Sequence, residues 1–264
     1  MERQGDTLFC ALSVSISLLL LCVATVQGAE HWVDTRQSGP FICQATYPLQ
    51  GYEPLLAELQ ELQPELVRTL GVAPAAEPVY IYLFSDAPSH RRYLAEHYPD
   101  VPYRQALFVK EGGLAGVYAY RHDALDVDLR HECTHALLHA SLPMVPLWLD
   151  EGLAKYFEVP ADKRAFDHPY FGWLRWEMRF GMIRTVSDLE QRRDLSEMGA
   201  SEYRYSWAWV HFMLHGPEAA HTTLVRYLAD IRRGEIAGNL SEQLEAAVPN
   251  STERMVQHFK YWHE

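Results

Sequence analysis

Cysteine is scarce in this chain. Its 264 residues include four, and two of these, Cys10 and Cys22, fall in an apolar leader. Only Cys43 and Cys133 remain for the body of the chain, so a disulfide-stapled scaffold is excluded. Positive charge is also in short supply. Lys and Arg number 23 against 35 Asp and Glu, a formal net charge of -12. Such a surface disfavours nucleic acid or anionic lipid as a main partner. Internal repeats and low-complexity tracts are absent too, which excludes solenoid architectures.

What is present begins with a hydrophobic leader. Residues 8–26 form a nearly unbroken apolar run containing Leu18, Leu19, Leu20 and Leu21. Val26 and Gly28 suit a cleavage site before Ala29. Residues 1–28 are therefore expected to be a secretory signal peptide, and residues 29–264 one domain. The start departs from the usual signal, because Arg3 is opposed by Glu2 and Asp6. An uncleaved membrane anchor is the alternative, since the run is just long enough to span a bilayer. Leu21 is too bulky to precede a lipidated Cys22. The protein is expected to be secreted or periplasmic, and at a membrane only if the leader is kept. The composition, 48% hydrophobic and 22% charged, is that of a globular domain.

Residues 52–70 read as a helix. Leu55, Leu59, Leu62, Leu66 and Leu70 recur at steps of three and four, and Gly71 ends the run. Residues 79–84 (VYIYLF) are β-branched and aromatic and read as a strand. Residues 106–109 and 116–120 are two more strands, separated by Gly112 and Gly113. A helix follows over about 127–141. Pro143 and Pro146 break it, and another runs over about 147–157. The remainder reads as helical, and Trp173, Trp176, Trp207 and Trp209 are expected in the core. Helix and strands first, then mostly helices, is an α+β order.

Within the 127–141 helix stands His131-Glu132-Cys133-Thr134-His135. Positions i and i+4 share a helix face, so two imidazoles can reach one metal ion. Glu132 lies about 100° around the helix. It can reach a water on the metal without being a ligand. Such a pentapeptide arises by chance in roughly one chain in twenty of this composition, so the pattern alone is insufficient. A catalytic zinc wants three protein ligands. Leu138 and Ser141 stand where a glycine and a third histidine would follow, so that version of the site is excluded. His139 lies one turn too far along the helix to join, and is expected at the surface or behind the ligands. Glu151 is the better third ligand. Residues 136–150 carry the two prolines that turn the chain, and Glu151 sits on the next helix. Gly152 is costly inside a helix and is explained if the two helices approach closely at the metal. Asp128, Asp150 and Glu158 are candidates to orient the histidines. Cys133, inside the motif, is expected as a buried free thiol.

HECTH followed by WLDEGLAKYFE resembles the gluzincin superfamily of zinc peptidases, the thermolysin-like proteases and membrane-alanyl-type aminopeptidases. The second block is similar to the aminopeptidases' W-L-N-E-G-F-A helix. The layout over residues 78–214 also resembles an uncharacterised family of secreted bacterial gluzincin-like proteins. This resemblance implies Zn2+ held by His131, His135 and Glu151. It implies Glu132 as the general base on a zinc-bound water and a peptide or protein as substrate. It also implies a zincin-like cleft between a small sheet subdomain and a helical subdomain. The aminopeptidases hold the substrate's amino terminus with the Glu of a G-x-M-E-N segment. The matching residues here, 112–116, carry no carboxylate, so an endopeptidase is expected. Asp150 stands where those enzymes often have Asn. The block from Tyr203 to Val210 resembles their Y-E-K-G-x-A-L-L block, which implies Tyr203 as oxyanion donor, with Tyr205 as the other choice and His211 and His215 further off. A strand over residues 116–120 is expected to pair with an extended substrate. The rival reading is a secreted zinc-containing binding protein without turnover.

Overall fold

Alternating burial builds the sheet first. In the computed structural model, which describes residues 31–111 and 114–262, Phe41, Cys43 and Ala45 face inward along one strand, and Val79, Ile81 and Leu83 along another. The expected leader over residues 1–28, with Cys10 and Cys22, and the Gly112-Gly113 pair lie outside the described residues. Strand β1 (Asp34–Ser38) turns through Gly39, at a φ of +55°, into β2 (Phe41–Ala45). Helix α1 (Glu53–Leu70) follows and buries Leu56, Leu59, Leu62, Leu66 and Leu70. Gly71, at φ 66°, caps it by donating its N–H to Val67 O. Then come β3 (Val79–Phe84), α2 (Ala87–His97), β4 (Ala106–Glu111) and β5 (Leu114–Tyr120).

The sheet order is β1-β2-β3-β5-β4. β2, β3 and β5 run parallel, and β1 and β4 are antiparallel to their neighbours. One face packs with α1 and the later helices into the main core. The other carries Phe84, Leu107 and Tyr118 against Leu94 of α2. This order corrects one expectation. β5 is enclosed by β3 and β4, so a substrate strand finds no open edge there. The open edge on this side is β4.

The helical part comprises α3 (Leu125–Ser141), α4 (Leu147–Phe157), α5 (Phe171–Arg179), α6 (Val186–Glu190), a 3-10 turn (Leu195–Glu197), α7 (Ala200–His215), α8 (Glu218–Arg232), α9 (Leu240–Ala247) and α10 (Ser251–Tyr261). The expected order of sheet then helices holds. Trp32–Glu264 forms one compact unit. Trp207 and Trp209 are fully buried as expected, whereas Trp173 and Trp176 are 62% and 50% exposed. Those two lie on the outward arc of α5, whose inward side is taken by Phe171 and Leu174. No helix among the described residues is long and apolar enough to cross a membrane.

Gly152 explains how α4 seats. A Cβ there would lie 2.6 Å from Ser206 O and 2.8 Å from Ser206 C. The glycine therefore admits the backbone of α7. The expected close approach is real, but its partner is α7 rather than α3.

Candidate metal centre

Helix α3 places His131 and His135 on one face, one turn apart, as the 3.6-residue repeat requires. Their Nε2 atoms lie 3.2 Å apart. Glu151 Oε2, from the first half of α4, is 3.6 Å from His131 Nε2 and 3.9 Å from His135 Nε2. These three ligand atoms form a group able to hold a metal ion. His135 and Glu151 are buried, and His131 is nearly so.

The outer nitrogens are spoken for. His131 Nδ1 meets Glu158 Oε2 at 2.9 Å, and His135 Nδ1 meets Asp150 Oδ2 at 3.0 Å. Each carboxylate holds its ring with the proton on Nδ1 and the Nε2 lone pair turned inward. Two lone pairs facing each other 3.2 Å apart repel unless a cation lies between them. Tetrahedral zinc, with bonds of about 2.0–2.1 Å, sets two nitrogen ligands about 3.3 Å apart. The donor set therefore fits zinc. Burial alone would lower the His131 pKa, but Glu151 and Glu158 outweigh it and raise it to about 9. His135 is raised in the same way, by Asp150 against burial. The same pairings hold the Asp150 and Glu158 carboxyls below the ordinary carboxylate range despite burial. The pocket is built for positive charge.

Both orienting carboxylates are themselves held. Lys155 Nζ donates to Glu158 Oε2 at 2.8 Å. Arg130 Nε donates to Glu158 O at 2.6 Å, while its guanidinium also reaches Glu58 and Asp126. Asp150 Oδ2 lies 2.9 Å from His139 Nε2. His139 is thus behind the ligands, one of its two expected places. Asp128, the third carboxylate candidate, is turned away to His122, 3.2 Å distant. Neither Lys155 nor Arg130 was singled out from sequence. Their roles depend on the C-terminal end of α4 meeting α3, which local patterning does not specify.

Glu132 lines a cavity of about 650 Å³ together with Arg104, Leu107, Phe108, His131, His135, Glu151 and the turn at Asp194 to Ser196. Its Oε2 accepts the backbone N–H of Phe108 at 2.8 Å. That amide must point off the open edge of β4. By the alternation of an antiparallel strand, the backbone groups of Ala106, Phe108 and Lys110 face outward. The edge strand beside Glu132 is therefore β4, not the strand at residues 116–120 expected from sequence to pair with a substrate.

Helix α7 separates the two tyrosines. Tyr205 is fully buried, and its hydroxyl has no hydrogen-bond partner among the described residues. Burial, and after it the Glu177 charge, push its phenol well above the ordinary tyrosine range. Tyr203 is half-buried, and after burial the charge that raises its phenol most is Glu151. Tyr170, on the approach to α5, also feels Lys155, Glu158 and Glu151. His215 Nε2 is taken by Tyr156 Oη at 2.7 Å, and His211 lies between Ala165 O and His258, each 3.0 Å away. Cys43 and Cys133 are both free and buried.

Comparison with known proteins supports the same architecture. No protein-family model and no curated protein matches the sequence. The M1 zinc metallopeptidase from Deinococcus radiodurans is similar in structure, with a TM-score of 0.50 and 18% identity over 86% of this chain and 50% of that one. A mutant of that enzyme gives a TM-score of 0.49 at 18% identity, over 88% of this chain and 51% of that one. The same mutant bound to a Tyr-Ser-Ala substrate gives 0.47 at 17% identity, over 87% and 50%. The chain thus spans about half the length of the metallopeptidase it matches, and what the two share is the fold.

Proposed function

We propose that this chain is a zinc-dependent peptidase of gluzincin type, acting within peptide chains. The observation that carries the reading is the convergence of His131 Nε2, His135 Nε2 and Glu151 Oε2, with both outer imidazole nitrogens held by carboxylates. His131, His135 and Glu151 hold the zinc. When bound, zinc supplies a Lewis acid that polarises the scissile carbonyl and acidifies water.

The chain's own residues do the rest. Glu132 lines the cavity beside the ligands and accepts a proton from the attacking water as its oxygen bonds to the carbonyl carbon. It then delivers that proton to the amine nitrogen as the C–N bond breaks. Tyr203 donates a hydrogen bond to the oxygen that gathers negative charge. The outward backbone groups of β4 pair with an extended substrate. No carboxylate at residues 112–116 is available to hold an amino terminus, which favours internal cleavage.

Metal analysis paired with activity tests this reading. The wild type should bind about one zinc per chain. Glu132→Gln should keep the zinc and lose hydrolysis of a mixed peptide library by a factor of about a hundred or more. His131→Ala should lose the zinc. Equal, near-zero zinc in wild type and His131→Ala would refute the metal site. Zinc in the wild type without any chelator-sensitive cleavage would favour the binding-protein reading.

A further inference from the structure

The outward arc of α5 differs from the rest of the surface. Trp173, Trp176 and Phe180 are 62%, 50% and 62% exposed, and Met182 is 39% exposed. The rings form one continuous ridge. Trp173 and Trp176 centroids are 6.1 Å apart, and Trp176 and Phe180 are 5.1 Å apart. At about 100° per residue, positions 173, 176 and 180 fall within one stripe about 60° wide, and Arg179 and then Arg175 follow on one side of it. Exposed tryptophans joined in a ridge mark a surface that meets something apolar.

Charge says what that is. Across residues 171–184 the one acid is Glu177, and it is buried and paired with Arg204 at 3.1 Å. Beside the ridge lies a hollow of about 440 Å³ whose charged lining is Arg175, Arg179 and Lys260. Arg175 holds its place by donating to Phe259 O and Trp262 O, which are uncharged acceptors. The patch is thus basic in a chain of net charge -12. At physiological ionic strength charges are screened beyond about 8 Å, so the local sign governs contact.

We propose that α5 is a docking surface for an anionic phospholipid bilayer. The Trp173-Trp176-Phe180 ridge enters the interfacial layer, where amphipathic rings settle. Arg175, Arg179 and Lys260 meet lipid phosphates around the hollow. The acidic total charge argues against a lipid partner for the molecule as a whole, and this patch is a local exception that a sum over residues conceals. It does not depend on the zinc reading.

Cosedimentation with vesicles tests it. The purified protein is mixed with phosphatidylcholine vesicles with and without phosphatidylserine. Any leader it retains is common to all variants. Wild type should bind the phosphatidylserine vesicles more tightly, and added salt should weaken binding. Arg175→Gln with Arg179→Gln should bind about thirtyfold more weakly. Trp173→Ser with Trp176→Ser should lose at least about tenfold. These side chains are exposed, so the unfolding midpoint of each variant should match wild type and separates lost docking from lost fold. Equal binding to both vesicle types, or variants that bind as wild type does, would overturn the proposal. So would a wild-type dimer in sedimentation velocity that the Trp pair of substitutions abolishes, because the ridge would then be a contact between copies.

Discussion

Gly152→Ala sets two effects of opposite sign against each other. In a solvent-facing helix the change would stabilise by up to about 1 kcal/mol, since alanine restricts the unfolded chain and favours helix. Here the new methyl would stand 2.6 Å from Ser206 O and 2.8 Å from Ser206 C. Ordinary contact begins near 3.4 Å, so α4 and α7 must separate by several tenths of an ångström. Both neighbours are helix backbone, and neither can swing aside. Overpacking of this kind costs about 1–3 kcal/mol. Less the helix gain, a net loss of about 1 kcal/mol corresponds to a fall of roughly 2–4 °C in the unfolding midpoint for a domain of this size. The damage also falls beside a ligand, so zinc affinity should drop as Glu151 is displaced. Calorimetry of the zinc-loaded and chelated forms, with a competition titration for zinc, reads both effects. A variant as stable as wild type or more so would show that α4 and α7 do not meet at Gly152.

Glu158→Gln should lower zinc affinity by about ten- to a hundredfold while leaving the three ligands intact, because His131 loses its charged partner; a competitive chelator measures it. Tyr203→Phe should reduce kcat about a hundredfold with zinc content unchanged, whereas Tyr205→Phe should alter it little, since Tyr205 is fully buried in the core; the reverse pattern would exchange the roles. His168 and His211 are buried, and burial lowers their pKa values to about 4 and about 3. Below pH 6.5 the unfolded chain takes up protons that these folded rings refuse. Stability should therefore fall as pH drops from about 6.5 toward 4, by up to about 1.4 kcal/mol per pH unit for each ring. Denaturant titrations across that range should show a shallower slope for His168→Gln, and an unchanged slope would refute the assignment.

The candidate metal group of His131, His135 and Glu151 was legible in sequence because helix periodicity brings its members together. His131 and His135 must share a face whatever surrounds them, and residues 147–157 carry their own helical pattern. β3, with its VYIYLF run, was legible for the same local reason. The hairpin of β1 and β2 was not, because DTRQS has no hydrophobic alternation and becomes a strand only by pairing with its neighbour. Helix α2 was hidden by a mean composition that is polar, although Asp86 caps it by accepting from Ser89 N. Sheet order was beyond reach as well. β4 and β5 are adjacent in sequence and similar in composition, and only the long-range pairing of β5 with β3 decides which becomes the edge. Gly152 shows the same limit. Its presence signalled a close approach, but the approaching backbone lies more than fifty residues downstream, at Ser206.

The hydrogen bond from Phe108 N–H to Glu132 also bears on solubility. An open strand edge invites pairing with other chains, and proteins commonly blunt such edges with charged side chains. β4 is guarded in that way at two outward positions: Glu132 caps the Phe108 amide, and the Lys110 ammonium is anchored to His139 O. An incoming strand must displace the Glu132 carboxylate before it can use that amide, so the residue assigned to proton transfer also keeps the edge closed to casual partners. Glu132→Gln keeps an acceptor at this place, while Glu132→Ala leaves the amide bare. The alanine variant should therefore aggregate more readily in concentrated solution than the glutamine variant, even if the two are equally inactive.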